Sequence, residues 1–450
     1  MSTDYLIFLS IPGLRPQDVD AATTPTLHGW ATGGAMAELT PTFPCVTSPV
    51  QATMWTGRPP GKHGVIANGF FHRERSEVQF WVAHNDVIGG EQIWETIHRR
   101  RPGFTSAVWH AQNIKGAAAD FIITPAPIHE PDGTTKLWCY SKPDGLYQEL
   151  LGAMGHFPLK HYWGPLANIE STRWILGAAQ WLIDSHAPNF HWIYIPHLDY
   201  ASQKFGPDSD EARGALVELD AELGRFAAGV AAGAIGNKTV YLVAGEYALT
   251  DVSDVIYPNR LLREAGLLNV RSGPDGEMVD LATSPALAMV DHQFAHVFVR
   301  DPQAADIKGI ADLFRSASGV AGVYEGDRRR EIGLAHDRAG EIILVAEHSH
   351  WFAYYWWLDD ESAPSFARTV DIHRKPGYDP VELFFDPVTR GIPLDAQLVR
   401  GSHGAPATAS AQQAALICSQ AGSAVKSART YRDVDIKRIS LQLLGLESQT

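Results

Sequence analysis

The sequence predicts an α/β protein with a mostly parallel central sheet flanked by helices and a smaller inserted or peripheral α+β portion. Short uninterrupted apolar runs alternate with helical patterns, the order that βαβ units produce. The runs lack the polar/apolar alternation of a half-exposed strand, so both faces are expected to be covered. The composition allows such a core. Of 450 residues 45% are hydrophobic, 20% charged and 10% aromatic, a profile unlike that of a disordered or fibrous chain.

The elements follow in order. Tyr5–Ile11 reads as a buried strand stopped by Pro12-Gly13, and Ser106–Trp109 and Phe190–Ile195 read as further strands. The segment Asp208–Ala228 carries Ala212, Ala215, Leu216, Leu219, Leu223 and Phe226 on one face of a helix, with Asp208 or Ser209 as its cap. Thr239–Ala244 and Glu341–Ala346 complete the clearest strands, and the dense aromatic run Trp351–Trp357 reads as core or pocket wall. No Ser/Gly linker or repeat divides the chain. It is therefore read as one domain over 1–450, with 259–340 as the inserted or peripheral α+β portion.

Charge and cysteine content narrow the function. There are 37 Lys+Arg against 51 Asp+Glu, a net charge of −14, and no basic run beyond Arg99–Arg101 and Arg328–Arg330. That argues against nucleic acid as a partner but leaves room for a small anionic substrate. Cys45, Cys139 and Cys418 are scattered and lack C-x-x-C spacing, so neither a disulfide framework nor a cysteine zinc site is expected. The apolar run at Tyr5–Ile11 is too short for a signal or membrane segment, and the expectation is a cytoplasmic protein with no membrane partner. Oligomeric state is left open.

In parallel α/β sheets ligands bind beyond the carboxyl ends of the strands. Polar residues follow several strands here: Thr47 and Ser48 in a loop, Asp199 to Gln203 after Phe190–Ile195, Glu246-Tyr247 after Thr239–Ala244, and His403 near the C-terminus. His63 in its turn, Cys45, and His348 and His350 beside the aromatic run read as structural. The stretch Phe43 to Asn68, with Thr47, Thr56-Gly57-Arg-Pro-Pro-Gly-Lys-His63-Gly-Val-Ile and a following Asn, resembles the nucleophile segment of the alkaline phosphatase superfamily, in its nucleotide pyrophosphatase/phosphodiesterase-like branch. Leu198-Asp199 through Lys204-Phe-Gly-Pro207, Gly245-Glu246-Tyr247-Ala248 and Gly401-Ser-His403-Gly404 resemble the later motifs of that branch, in its order.

The resemblance implies an alkaline-phosphatase-like fold and a phosphodiesterase or phosphatase acting on a small phosphorylated metabolite. It implies Thr47 as nucleophile and Asn68, 21 residues further on, as the group that holds a phosphoryl oxygen. It also implies two divalent ions, usually zinc. At one ion's ligand positions stand Pro12, Thr47, Glu246 and Tyr247, and at the other's Asp199, Gln203 and His403. Proline and a neutral phenol are poor ligands, so at most one ion, zinc or manganese, is expected, or none. His197, which alternates with Asp199, and His373, which shares a face with Asp371 if that segment is extended, are the candidates to complete a single site. Arg374 and Lys375 are the candidates to bind an anionic substrate. Two alternatives stay open. One is a metal-independent lyase or isomerase with Glu246 as base and Tyr247 as acid. The other is a non-catalytic binding protein.

Overall fold

In the computed structural model, which describes residues 2–129 and 135–447, the apolar runs form the middle of a nine-stranded sheet. In chain order the strands of the two main sheets begin with β1 (Tyr5–Ser10), β2 (Ala35–Thr40), β3 (Ser106–Trp109), β4 (Phe121–Pro125) and β5 (Cys139–Lys142). Then come β6 (Phe190–Tyr194), β7 (Thr239–Ala244), β8 (Ala286–Asp291) and β9 (Phe294–Val299). Last are β10 (Val320–Glu325), β11 (Ile342–Ala346), β12 (Ala414–Cys418) and β13 (Thr430–Arg432). The central sheet runs β13-β2-β12-β7-β1-β6-β3-β4-β5. Five adjacent strands, β7 to β4, are mutually parallel, while β12 and β5 run antiparallel to their neighbours.

Each face of this sheet carries its own core. Leu6, Phe8 and Trp192 pack on one side with α2 (after α1, Pro25–Gly33, this is Thr47–Thr56). Ile7, Leu9 and Ile193 pack on the other side with α3 (Glu170–His186) and, beyond α4 (His197–Phe205), with α5 (Asp210–Ala232). Burial on both faces is the reason these strands read as unbroken apolar runs. Helix α5 buries the six apolar residues of the predicted face, and of the two candidate caps it uses Ser209, whose side chain accepts from the Ala212 N–H. All ten residues of α2 are buried, so it has no polar stripe for a sequence pattern to reveal.

One strand lies elsewhere than expected. Glu341–Ala346 is not part of the central sheet: as β11 it sits in a second, antiparallel sheet, β8-β9-β11-β10. Ile342 and Leu344 face one apolar cluster and Ile343 and Val345 face another, so a two-sided antiparallel strand mimics a parallel one. The first of these clusters draws residues from Val252 to Val399, a wider span than 259–340, and contains the whole run Trp351–Trp357. Among the described residues no helix is long and apolar enough to cross a membrane.

Candidate active site

The carboxyl ends of three neighbouring parallel strands, β1, β6 and β7, set the site. Beyond β6, α4 begins at His197 and presents Asp199 in its first turn. Beyond β7, Gly245 lets the chain turn against the first loop: a Cβ there would lie 2.4 Å from the Leu14 carbonyl oxygen. The turn places Glu246 and Tyr247 on opposite sides, and the Gly13 N–H donates to the Tyr247 carbonyl at 2.9 Å. Thr47 opens α2, so its hydroxyl lies at a helix N-terminus.

These groups meet. The Thr47 Oγ1 is 3.0 Å from the Tyr247 hydroxyl, which donates to Asp199 Oδ2 at 2.9 Å. Because the tyrosine proton is committed to the carboxylate, the threonine is the donor in the first contact. Tyr247 also stacks on His403 with ring centroids 3.7 Å apart, and His403 Nδ1 sits 2.7 Å from the Cys45 carbonyl. Only Nδ1–H can donate there, which leaves Nε2 as the acceptor. Asn68 joins through the start of α2: the Ser48 N–H donates to its Oδ1 at 2.9 Å. Glu246 points the other way, where its Oε1 accepts from Ser10 Oγ at 2.6 Å and Gln51 Nε2 at 2.7 Å.

The second sheet supplies residues that sequence reasoning missed. Strands β8 and β9 form a hairpin whose two-residue tip is His292-Gln293, with His292 at φ 60°. A non-glycine residue in that region costs roughly 1–3 kcal/mol and persists where its surroundings hold it. Here Asp291 does so. It is 2.8 Å from His292 Nδ1 and accepts from the Asn68 backbone N–H at 2.8 Å and side-chain Nδ2 at 3.1 Å. The His292 ring lies between His403 at 3.8 Å and Tyr378 at 3.8 Å. Tyr378 donates to Gln203 Oε1 at 2.7 Å. The sequence signal that could have found them is the pair Asp291-His292 standing between two apolar runs.

The segment Asp371–Asp379 reaches the site through Tyr378, and not through the residues nominated from sequence. Arg374 lies in an exposed turn paired with Asp371, and His373 is held in the same turn by its backbone, so no extended strand aligns Asp371 with His373. Lys375 is no substrate ligand in this arrangement: it is 1% exposed, bonded to Asp379 at 2.8 Å and Glu382 at 2.6 Å. His197 does not share a face with Asp199. The two stand on a helix, about 200° apart, and His197 Nε2 lies 3.2 Å from Glu218.

The interior is electrostatically unusual. Burial pushes Asp199 up to about 7, against the pull of the Tyr247 hydroxyl, and Asp291 up to about 7, against its bonds from Asn68. Burial likewise lifts Glu246 to about 8, despite Ser10 and Gln51. It drives His292 and His403 well below the ordinary imidazole value, so both are neutral. Among the described residues no Lys or Arg pairs with these three carboxyls. The site is also closed: Thr47 is 3% exposed, and a surface cavity of about 330 Å³ lies elsewhere, between Thr56, Arg100, Lys437 and Glu447.

The chain's residues 6–379 match the model of the type I phosphodiesterase / nucleotide pyrophosphatase family. The chain belongs to that family. The family is named for phosphodiesterases and nucleotide pyrophosphatases, and the enzyme class expected from sequence, a phosphoric ester hydrolase, is consistent with it. Human ectonucleotide pyrophosphatase/phosphodiesterase family member 7 is 22% identical over 290 residues, covering 62% of this chain and 57% of the relative. An uncharacterized pyrophosphatase/phosphodiesterase of Schizosaccharomyces pombe is 22% identical over 273 residues, 59% of this chain and 48% of the relative. The chain thus spans about half the length of the curated relatives it matches. In fold it resembles phosphonoacetate hydrolase of Sinorhizobium meliloti, solved with phosphonoformate, at a TM-score of 0.65 and 15% identity over 98% of this chain and 96% of that one. Murine ectonucleotide pyrophosphatase/phosphodiesterase 5 matches at a TM-score of 0.63 and 15% identity, over 98% and 95%. The alkaline-phosphatase-like fold expected from the motifs is therefore the fold found.

The two divalent ions implied by the family do not fit the residues present. At the first position Pro12 offers no side-chain donor, Tyr247 spends its oxygen on Thr47 and Asp199, and Glu246 faces Ser10 and Gln51. At the second, Asp199 Oδ2 is occupied by Tyr247 and Gln203 Oε1 by Tyr378, which leaves His403 Nε2 and Asp199 Oδ1 unpaired. Zinc takes three or four ligands arranged tetrahedrally. Among the described residues no group of three His, Cys, Asp or Glu is set to hold an ion.

Proposed function

We propose that this chain hydrolyses a phosphoric ester of a small molecule, with Thr47 as nucleophile and Asp199, acting through Tyr247, as its base. The observation that carries the reading is the hydrogen-bonded line from Thr47 Oγ1 to the Tyr247 hydroxyl to Asp199 Oδ2. A threonine hydroxyl attacks only when its proton has somewhere to go. As Oγ1 bonds to phosphorus and the ester P–O bond breaks, the threonine proton passes to Tyr247 and the tyrosine proton to Asp199. The leaving oxygen is protonated from solvent; water then attacks the phosphothreonine and gives its proton to solvent, while Asp199 returns its proton through Tyr247 to Thr47 Oγ1 as the Oγ1–P bond breaks. Asp199, held up to about 7, is poised to take a proton near neutral pH. Asn68 keeps one Nδ2 hydrogen beyond its bond to Asp291 for a phosphoryl oxygen.

Membership of a hydrolase family supports the reaction class. Three buried free cysteines, Cys45, Cys139 and Cys418, support a cytoplasmic setting as part of the proposal. Glu246 with an unpartnered Oε2 is the one feature favouring a lyase or isomerase, but its carboxylate faces away from the Tyr247 hydroxyl. The test is turnover of aryl phosphate monoesters, aryl diesters and dinucleoside polyphosphates by the wild-type chain and Thr47→Val. Ester cleavage that disappears in the variant is expected. Cleavage that survives in Thr47→Val, or no cleavage of any ester, overturns the proposal.

A further inference from the structure

Four aromatic rings, Tyr247, His403, His292 and Tyr378, stack in sequence between Thr47 and Gln203, with successive centroids 3.7, 3.8 and 3.8 Å apart and interplanar angles of 9°, 38° and 19°. We infer that this stack takes the place of the divalent ions in the cleft, so that the folded chain holds no zinc or manganese between Thr47, Asp199 and His403. The inference deepens the proposed hydrolase reading, because it leaves the Tyr247–Asp199 line as the activator of Thr47. It also goes beyond that reading, since it stands whether or not Thr47 reacts.

The argument is geometric. An imidazole binds a metal through the nitrogen lone pair in its ring plane, and two such ligands converge on one ion about 2 Å from each nitrogen. Here Tyr247 stacks face to face on His403, and the two imidazoles, tilted by 38°, lie with their centroids 3.8 Å apart, which leaves no room for an ion between the rings. Each ring is also anchored at one polar atom, the two imidazoles through Nδ1 with Nε2 left unpaired. Tyr247 is fixed by Thr47 and Asp199, His403 by the Cys45 carbonyl, His292 by Asp291, and Tyr378 by Gln203. Asp291 is itself held by both nitrogens of Asn68. To bring a third ligand to the unpaired Asp199 Oδ1 and His403 Nε2 the chain would have to move a ring of the stack, in an interior where every one of these groups is buried. The anchors come from the loop before α2 and its first residue, from α4 and from the end of β8. No single rotamer change opens the stack.

The test reads metal content and not turnover, so the hydrolase reading and this inference can fail separately. The full chain, purified without a metal-binding tag, is equilibrated with zinc and then with manganese, desalted and analysed for both elements beside His403→Asn. Equal content in the two proteins is expected, since any ion held by surface histidines is common to both. About one ion per chain in the wild type that is missing from the variant overturns the inference. A second measurement needs only the wild type. Its melting temperature is expected to be the same in EDTA and in excess zinc, whereas a rise of several degrees with zinc, the mark of an ion bound to the folded state alone, overturns it.

Discussion

Replacing Glu246 with glutamine should make the protein more stable, and increasingly so as the pH rises. Glu246 is fully buried and titrates at about 8 rather than its ordinary 4.5, with burial as the main cause. A carboxyl whose folded value is raised adds stability that is complete below the unfolded value and is lost as the pH climbs through the folded one. Each unit between the two is worth about 1.4 kcal/mol, so the wild type gives up about 3 kcal/mol by pH 7 and between about 4 and 5 kcal/mol by pH 8. Glutamine has nothing to ionise, and its oxygen can still accept from Ser10 and Gln51 as Oε1 does. With an unfolding entropy of about 2.1 cal/mol/K per residue, 450 residues convert these energies into melting-temperature gains of about 3 °C at pH 7 and about 5 °C at pH 8, with little gain at pH 5. Scanning calorimetry of both proteins at pH 5, 6, 7 and 8 makes the comparison. A gain equal at all four values, or no gain at pH 8, would refute the reasoning and show the carboxylate to be neutralised by a cation.

Further perturbations separate chemistry from packing. Tyr247→Phe keeps a ring on His403 but cuts the proton path, so kcat for the ester should fall by about 100- to 10,000-fold, as loss of a positioned general base does. The same change removes the bond that lowers Asp199, so any residual activity should rise at a higher pH than in the wild type, a shift read from the kcat–pH profile. Thr47→Val should abolish turnover while leaving the melting temperature within a few degrees, since valine matches the buried shape and forfeits one hydrogen bond worth about 1 kcal/mol. Lys375→Met should cost about 3–5 kcal/mol in denaturant melts, because it strands two buried carboxylates, and should leave KM for the ester unchanged.

Which parts of this protein can be read without coordinates follows from how local their causes are. The strands β1, β3 and β7 are legible because burial on both faces leaves an unbroken apolar run, and the face of α5 because its period is helical. Asp199 and Tyr247 are legible together because a parallel sheet brings the ends of its neighbouring strands to one edge, whereas Thr47 and His403 are legible only through the motifs that hold them. Local reasoning fails where partners come from far along the chain. Lys375 looks like a free cation until Glu382 and Asp379 close on it. His197 looks like a neighbour of Asp199 until the segment becomes a helix. Asp291, His292 and Tyr378 enter only because the second sheet docks its hairpin tip against Asn68, a contact between residues 223 apart. The strand β11 reads like a member of the parallel sheet because two apolar clusters enclose it as tightly as one.

The 3% exposure of Thr47 has a kinetic meaning. A hydroxyl sealed beneath rings meets no ester in this conformation, so the reaction proposed for Thr47 requires a rarer, open form of the chain. The observed dissociation constant is then the intrinsic one divided by the open fraction, and every tenfold scarcity of that form takes about 1.4 kcal/mol from binding. The contact to test for that opening is the seam where Asp291, at the end of β8, holds Asn68, which in turn accepts from Ser48 at the start of α2. Loosening the seam at Asp291 would trade thermal stability for access, and the fastest variant of this protein need not alter any group that touches phosphorus.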